Sequence, residues 1–101
     1  MISVKVTYTV KEEFSLENQQ NIKTFLEDFR QMNPEDFRYS IYRLGDKKTF
    51  VHISQYKNEF IQQKILQTGS FLYFQKKRDE SGLEAAPQIE VMELIGASAD
   101  F

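Results

Sequence analysis

The sequence predicts an α+β domain, a four-stranded antiparallel sheet with helices on one face. Three observations predict it. Residues 2–10 alternate Ile2, Val4, Val6, Tyr8 and Val10 with Ser3, Lys5, Thr7 and Thr9, the period of a strand. Ile22, Phe25, Leu26, Phe29 and Met32 then recur at the spacing of one helical face. Residues 49–74, TFVHISQYKNEFIQQKILQTGSFLYF, read as a strand, a short helix, a glycine break and a second aromatic helix. The rest of the chain supplies partners for that last unit.

The first strand has one apolar face and one mild polar face, so it covers a core on at least one side. Ser15 stands where a helix N-cap belongs, with Glu17 adding negative charge to the first turn. The helix carries Asn21, Lys23, Glu27, Asp28 and Arg30 on its polar side, and Asn33-Pro34 ends it after about four turns. A second strand over 37–44 sets Phe37, Tyr39 and Ile41 on one side and Ser40, Tyr42 and Leu44 on the other. Gly45-Asp46-Lys47-Lys48 has the length of a hairpin turn.

The third strand, 49–56, sets Phe50, His52, Ser54 and Tyr56 against Val51, Ile53 and Gln55. Strands apolar on two sides imply a second partner for the sheet, which points to a dimer. Asn58 is placed to cap a short helix, Gly69 to end it at C′, and Ser70 to cap the next. That next helix ends near Ser81-Gly82, with Lys76, Lys77 and Arg78 as a solvated, dipole-matched terminus. A last strand over 88–95 alternates Ile89, Val91 and Ile95 with Met92 and Leu94. Residues 1–97 make a single domain, and residues 98–101 are expected to be a loose tail.

The order βαββαβ, with right-handed crossovers, is the ferredoxin-like arrangement. Net charge of -2 and a pI near 5.4 give no general attraction to nucleic acid or to an anionic membrane. RNA-recognition modules share the order. Lys48-Thr49-Phe50-Val51-His52-Ile53, however, lacks the glycine and preceding aromatic of their third-strand signature. No cysteine is present, so disulfides, thiolate nucleophiles and Cys-built metal sites are excluded. The alternating N-terminus is unlike a signal peptide, no stretch is long and apolar enough to span a membrane, and a cytoplasmic protein is expected.

Phe50-Val51 followed by Tyr56, then Thr68-Gly69-Ser70-Phe71, then the alternating run after Pro87, together resemble the antibiotic biosynthesis monooxygenase family of the dimeric α+β barrel superfamily. The resemblance spans most of the chain, from Ile2 to Leu94. It implies a homodimer and a cofactor-free monooxygenase acting on an electron-rich phenol or quinol between sheet and helices. Ser70 stands where many members have a helix His, Tyr56 where many have Trp, and the first strand lacks the Asn of the haem-degrading branch. The haem reading therefore loses its residues, and no cofactor is implied.

His52 is the one histidine, which excludes a multi-histidine metal site. Its ordinary pKa suits proton transfer near neutrality, so it is the candidate catalytic base; a strand histidine satisfied by a neighbour is the bland reading. Tyr8, Phe50, Phe71 and Phe74 are the candidate pocket residues for a small aromatic ligand, against plain core packing. Tyr39, Tyr42, Tyr56 and Tyr73 could also orient a phenol, and tyrosine is common in strands for other reasons. No paired carboxylates, phosphate loop or nucleophile elbow occur. The expected function is a cofactor-independent monooxygenase. The alternative is a non-catalytic homodimer that binds a small apolar ligand or an interaction partner.

Overall fold

The computed structural model of the chain describes residues 1–99. The first strand, β1 (Ile2–Thr9), is followed by a 3₁₀ turn (Glu12–Phe14) and helix α1 (Ser15–Phe29). Strands β2 (Phe37–Arg43) and β3 (Thr49–Tyr56) form a hairpin. Helices α2 (Glu59–Leu66) and α3 (Gly69–Lys77), a π-helical turn (Arg78–Gly82) and strand β4 (Gln88–Met92) complete the order. The sheet runs β2-β3-β1-β4, antiparallel throughout. The first strand in sequence is therefore central, and β4 closes one edge.

Register decides which side chains meet. Tyr8 lies opposite Phe50, Val6 opposite His52 and Ile89, and Tyr39 opposite Ser54. Phe50, His52, Ser54 and Tyr56 all point under the helices and are buried, as their alternation predicts. Phe25 of α1 is the hub of the core. Its ring meets Phe29 and Phe71 at 5.1 Å, Phe74 at 5.0 Å and Tyr39 at 5.6 Å, mostly edge to face. Tilted and edge contacts of this kind add to what burial alone contributes.

Several local expectations differ from what the chain does. Ser15 is not a cap: it sits inside α1, and its Oγ donates to the Lys47 carbonyl at 2.7 Å. The 3₁₀ turn ahead of it already satisfies the entry to the helix. Gly69 is not a left-handed terminator, since no glycine has positive φ; it opens α3 directly after Thr68. Ser70 lies within α3, and its Oγ donates to Asp28 Oδ2 at 2.5 Å, tying α3 to α1. Asn58 does cap α2, accepting from the Ile61 amide at 2.9 Å. The last strand stops at Met92, short of the expected 95. At the hairpin the left-handed residue is Lys47, φ 64°, held because Asp46 Oδ1 accepts from the Lys48 and Thr49 amides.

Beyond β4, Leu94, Ala97, Ser98 and Ala99 share a groove with Met1, Arg38 and Gln55 on the side of the sheet away from the helices. The loose tail expected over 98–101 includes Asp100 and Phe101, which lie outside the described residues. No helix is long and apolar enough to cross a membrane among the described residues.

Candidate active site

A cavity of about 580 Å³ opens between the sheet and the C-terminal helices. Its floor is Val4, Val6, Tyr39, His52, Ser54 and Tyr56; Phe71, Leu66, Leu83 and Pro87 wall it, and Ile89 and Val91 of β4 form its outer rim. Volume and apolar lining both suit a small organic ligand. The rim is uncovered, with Ile89 70% and Val91 81% exposed.

His52 lies in the cavity floor, only 2% exposed. Tyr8 Oη is 2.7 Å from its Nε2, and Tyr39 Oη is 2.7 Å from its Nδ1. Both ring nitrogens are thus occupied. Asn18, wholly buried on α1, favours one direction: its Nδ2 donates to Tyr8 Oη at 3.0 Å, which leaves the Tyr8 proton available to His52. Tyr8 then uses its own proton toward Nε2. That leaves the neutral ring protonated on Nδ1, donating to Tyr39, since a neutral imidazole has one donor and one acceptor. The chain Asn18→Tyr8→His52→Tyr39 ends at a hydroxyl in the cavity floor whose proton has no protein partner among the described residues.

Burial first, and the positive charge of Arg78 second, push the His52 pKa down from 6.5 to about 3. The ring is therefore neutral at physiological pH and a weak base. Burial also pushes Tyr8 and Tyr39 well above the ordinary phenol value; the Asn18 hydrogen bond pulls Tyr8 back in part, and Arg78 lowers both. These hydroxyls stay protonated, as donors must.

Arg78 overturns the expectation of a solvated helix end. It is 8% exposed, and its guanidinium lies over the rings of Tyr8 and Phe74, 5.0 Å and 5.3 Å from their centroids. Its Nε donates to Asp79 Oδ1 at 2.9 Å. Arg78 faces inward on the helical face of Phe71 and Phe74. The π-helical turn that begins there is pinned where Gly82 packs on the Phe14 ring and where the Lys11 amide donates to the Gly82 carbonyl at 2.7 Å.

Of the candidate residues, His52 and Phe71 line the cavity. Tyr8 and Phe74 lie beneath it and carry Arg78 on their faces. Phe50 lines a different groove, about 370 Å³, with Ile22, Leu26 and Ile41. Sequence reasoning missed Asn18 and Arg78, and left Tyr39 unranked among the tyrosines. Both missed residues had a signal. Asn18 continues the buried stripe of Ile22, Phe25 and Phe29, and Arg78 follows Phe71 and Phe74 on one helical face. Among the described residues no group of three or more His, Asp or Glu side chains is placed to hold a metal.

No protein-family model matches the chain, and no curated protein matches it. Solved structures do. A structure named antibiotic biosynthesis monooxygenase superposes with a TM-score of 0.81 at 15% identity, over 95% of this chain and 100% of that one. Rv0793 from Mycobacterium tuberculosis gives 0.79 at 12% identity, over 97% and 98%. A candidate antibiotic biosynthesis monooxygenase from Bacteroides thetaiotaomicron gives 0.84 at 9%, over 99% and 94%. At such identities the likeness speaks to backbone, not chemistry. The chain has the ferredoxin-like α+β fold of structures named antibiotic biosynthesis monooxygenases.

Proposed function

We propose that the protein is a cofactor-independent monooxygenase that takes a small aromatic phenol or quinol into the cavity beneath α2 and α3. The observation that carries this reading is the directed hydrogen-bond chain ending at Tyr39. A donor fixed on a cavity wall stabilises an oxygen on which negative charge develops, and does so best where water is scarce. Tyr39 is the group that touches the substrate oxygen and favours its phenolate form. His52 acts through Tyr39, holding that hydroxyl turned outward, rather than as a base in direct contact. Both of its nitrogens are bonded and its burial keeps it neutral.

The electron-rich phenolate then reacts with dioxygen. The balance closes without a reductant: a phenol and O₂ give a quinone and water. One oxygen atom becomes the new carbonyl and the other leaves as water with two hydrogens of the substrate. The substrate supplies all four electrons. Phe71 and the aliphatic wall hold the ring. The exposed apolar rim of β4 and the sheet face away from the helices, which bears Tyr42, Val51 and Ile53, support assembly with a second copy that completes the cavity.

Oxygen uptake with a panel of naphthohydroquinones and anthrones tests the reading. The expected result is uptake matched to quinone formation, reduced about 10²-fold by Tyr39→Phe, the cost typical of one lost oxyanion donor. Full turnover in Tyr39→Phe would remove Tyr39 from the mechanism. Ligand binding with no uptake across the panel would make the protein a binding member of the fold instead.

A further inference from the structure

Arg78 is a buried cation that the proposed reaction does not require. A guanidinium carries five N–H donors in a rigid fork. Nε is used on Asp79, and among the described residues the terminal nitrogens make no hydrogen bond. Asp79 is itself half-exposed, so water screens its charge while the guanidinium lies inside. The field of Arg78 is felt in the cavity floor, where it lowers the pKa of His52, Tyr8 and Tyr39 alike. Arg78 lines the cavity, and terminal nitrogens that no protein acceptor occupies are open there to an acceptor among its contents. Asp79 also lines that wall, already paired with Arg78 through Nε, and the other polar side chains there, Gln62 and Gln75, are neutral.

We infer that Arg78 is the anchor for a carboxylate on the ligand, so that the cavity selects aromatic acids over neutral rings of the same shape. The inference rests on the reading of this cavity as the ligand site. A carboxylate matches the fork in two parallel hydrogen bonds, and the ring system it carries lies on Phe71, Leu66 and Val6. The faces of Tyr8 and Phe74 beneath the guanidinium keep the fork flat and preset its orientation, which lowers the ordering cost of binding. The spacing of α3 makes this possible: residue 78 falls about one turn beyond Phe74 and two beyond Phe71, on the face that those rings bury.

The experiment is calorimetric titration of the intact protein at pH 7 with 2-naphthoate and with 2-naphthamide, its uncharged counterpart of nearly equal shape. The naphthoate is expected to bind at least about tenfold tighter, and Arg78→Gln to bring the two within about twofold of each other. The His52 ring-proton resonances, one set in this chain, should move with either ligand and locate it in the cavity. If the amide binds as tightly as the acid and moves the same resonances, the carboxylate anchor is overturned while the cavity reading stands. If neither binds, both fall. The wild-type comparison decides the matter even if Arg78→Gln does not fold.

Discussion

Acidification should destabilise this protein through a single imidazole. Burial holds His52 at about 3, against its ordinary value of 6.5. Between those values the unfolded chain takes up a proton that the folded chain refuses. The contribution to stability is complete above pH 6.5 and is lost as pH falls toward 3. Each pH unit within that window is worth up to about 1.4 kcal/mol, so moving from pH 7 to pH 4 removes about 3 kcal/mol. That is a large share of the roughly 5–15 kcal/mol that holds a typical domain together. The assay is urea unfolding of wild type and His52→Gln at pH 7, 5 and 4. Glutamine does not titrate, and carboxylates titrate in both proteins, so the difference between the two pH slopes isolates the ring. Wild type should lose about 3 kcal/mol more than the variant over this range. Parallel curves would show an imidazole that is solvated or charged in the folded state, and the relay ending at Tyr39 would fall with the buried neutral ring.

Two further outcomes follow from packing and from assembly. Gly82→Ala sets a Cβ against Cδ2 of the Phe14 ring, which is itself packed in the core, and should cost about 1–3 kcal/mol in thermal or urea unfolding, with the π-helical turn displaced; unchanged stability would mean that the ring yields freely. Light scattering behind size exclusion should give the mass of two 12.0 kDa chains; a monomer at micromolar concentration would leave the rim of β4 bare and refute a cavity completed by a second copy.

Most of the scaffold was legible in the sequence because burial in this chain follows simple periods. β3 alternates from Phe50 to Tyr56, and α1 repeats its apolar residues at helical spacing, so each announces its own inner face. The site was legible only in part, because polar residues on those faces are read by default as surface. His52 stood out through rarity. Tyr39, two places from Phe37 and two from Ile41, was on the inner face by the same alternation, yet nothing local says that its hydroxyl meets an imidazole 13 residues away. Arg78 was misread because a cation near a helix end has an ordinary explanation in the helix dipole. What reversed it is its place on the helical face of Phe71 and Phe74, which carries the guanidinium inward over the rings of Tyr8 and Phe74. Capping suffered similarly. Ser15 and Ser70 bond to distant groups, Lys47 and Asp28, and tertiary partners outcompeted the local backbone amides.

The place of β1 in the sheet has a consequence for how the chain comes into being. The first strand made is the one that needs neighbours on both sides: β3, some 50 residues later, and β4, some 85 residues later. A nascent chain emerging in order therefore presents an alternating, β-rich segment with both edges open until the hairpin arrives. One edge then stays open until the final strand is synthesised. The contacts that set the π-helical turn, Lys11 to Gly82 and Thr9 to Glu84, also join the beginning to the end. The wall bearing Arg78 is thus completed only once residues 82 and 84 have been made. A chain truncated ahead of Gln88 would keep its hairpin and helices, but it would carry an unsealed strand edge in the middle of its own sequence logic, and aggregation, rather than mere loss of the cavity, is the fate that topology assigns to it.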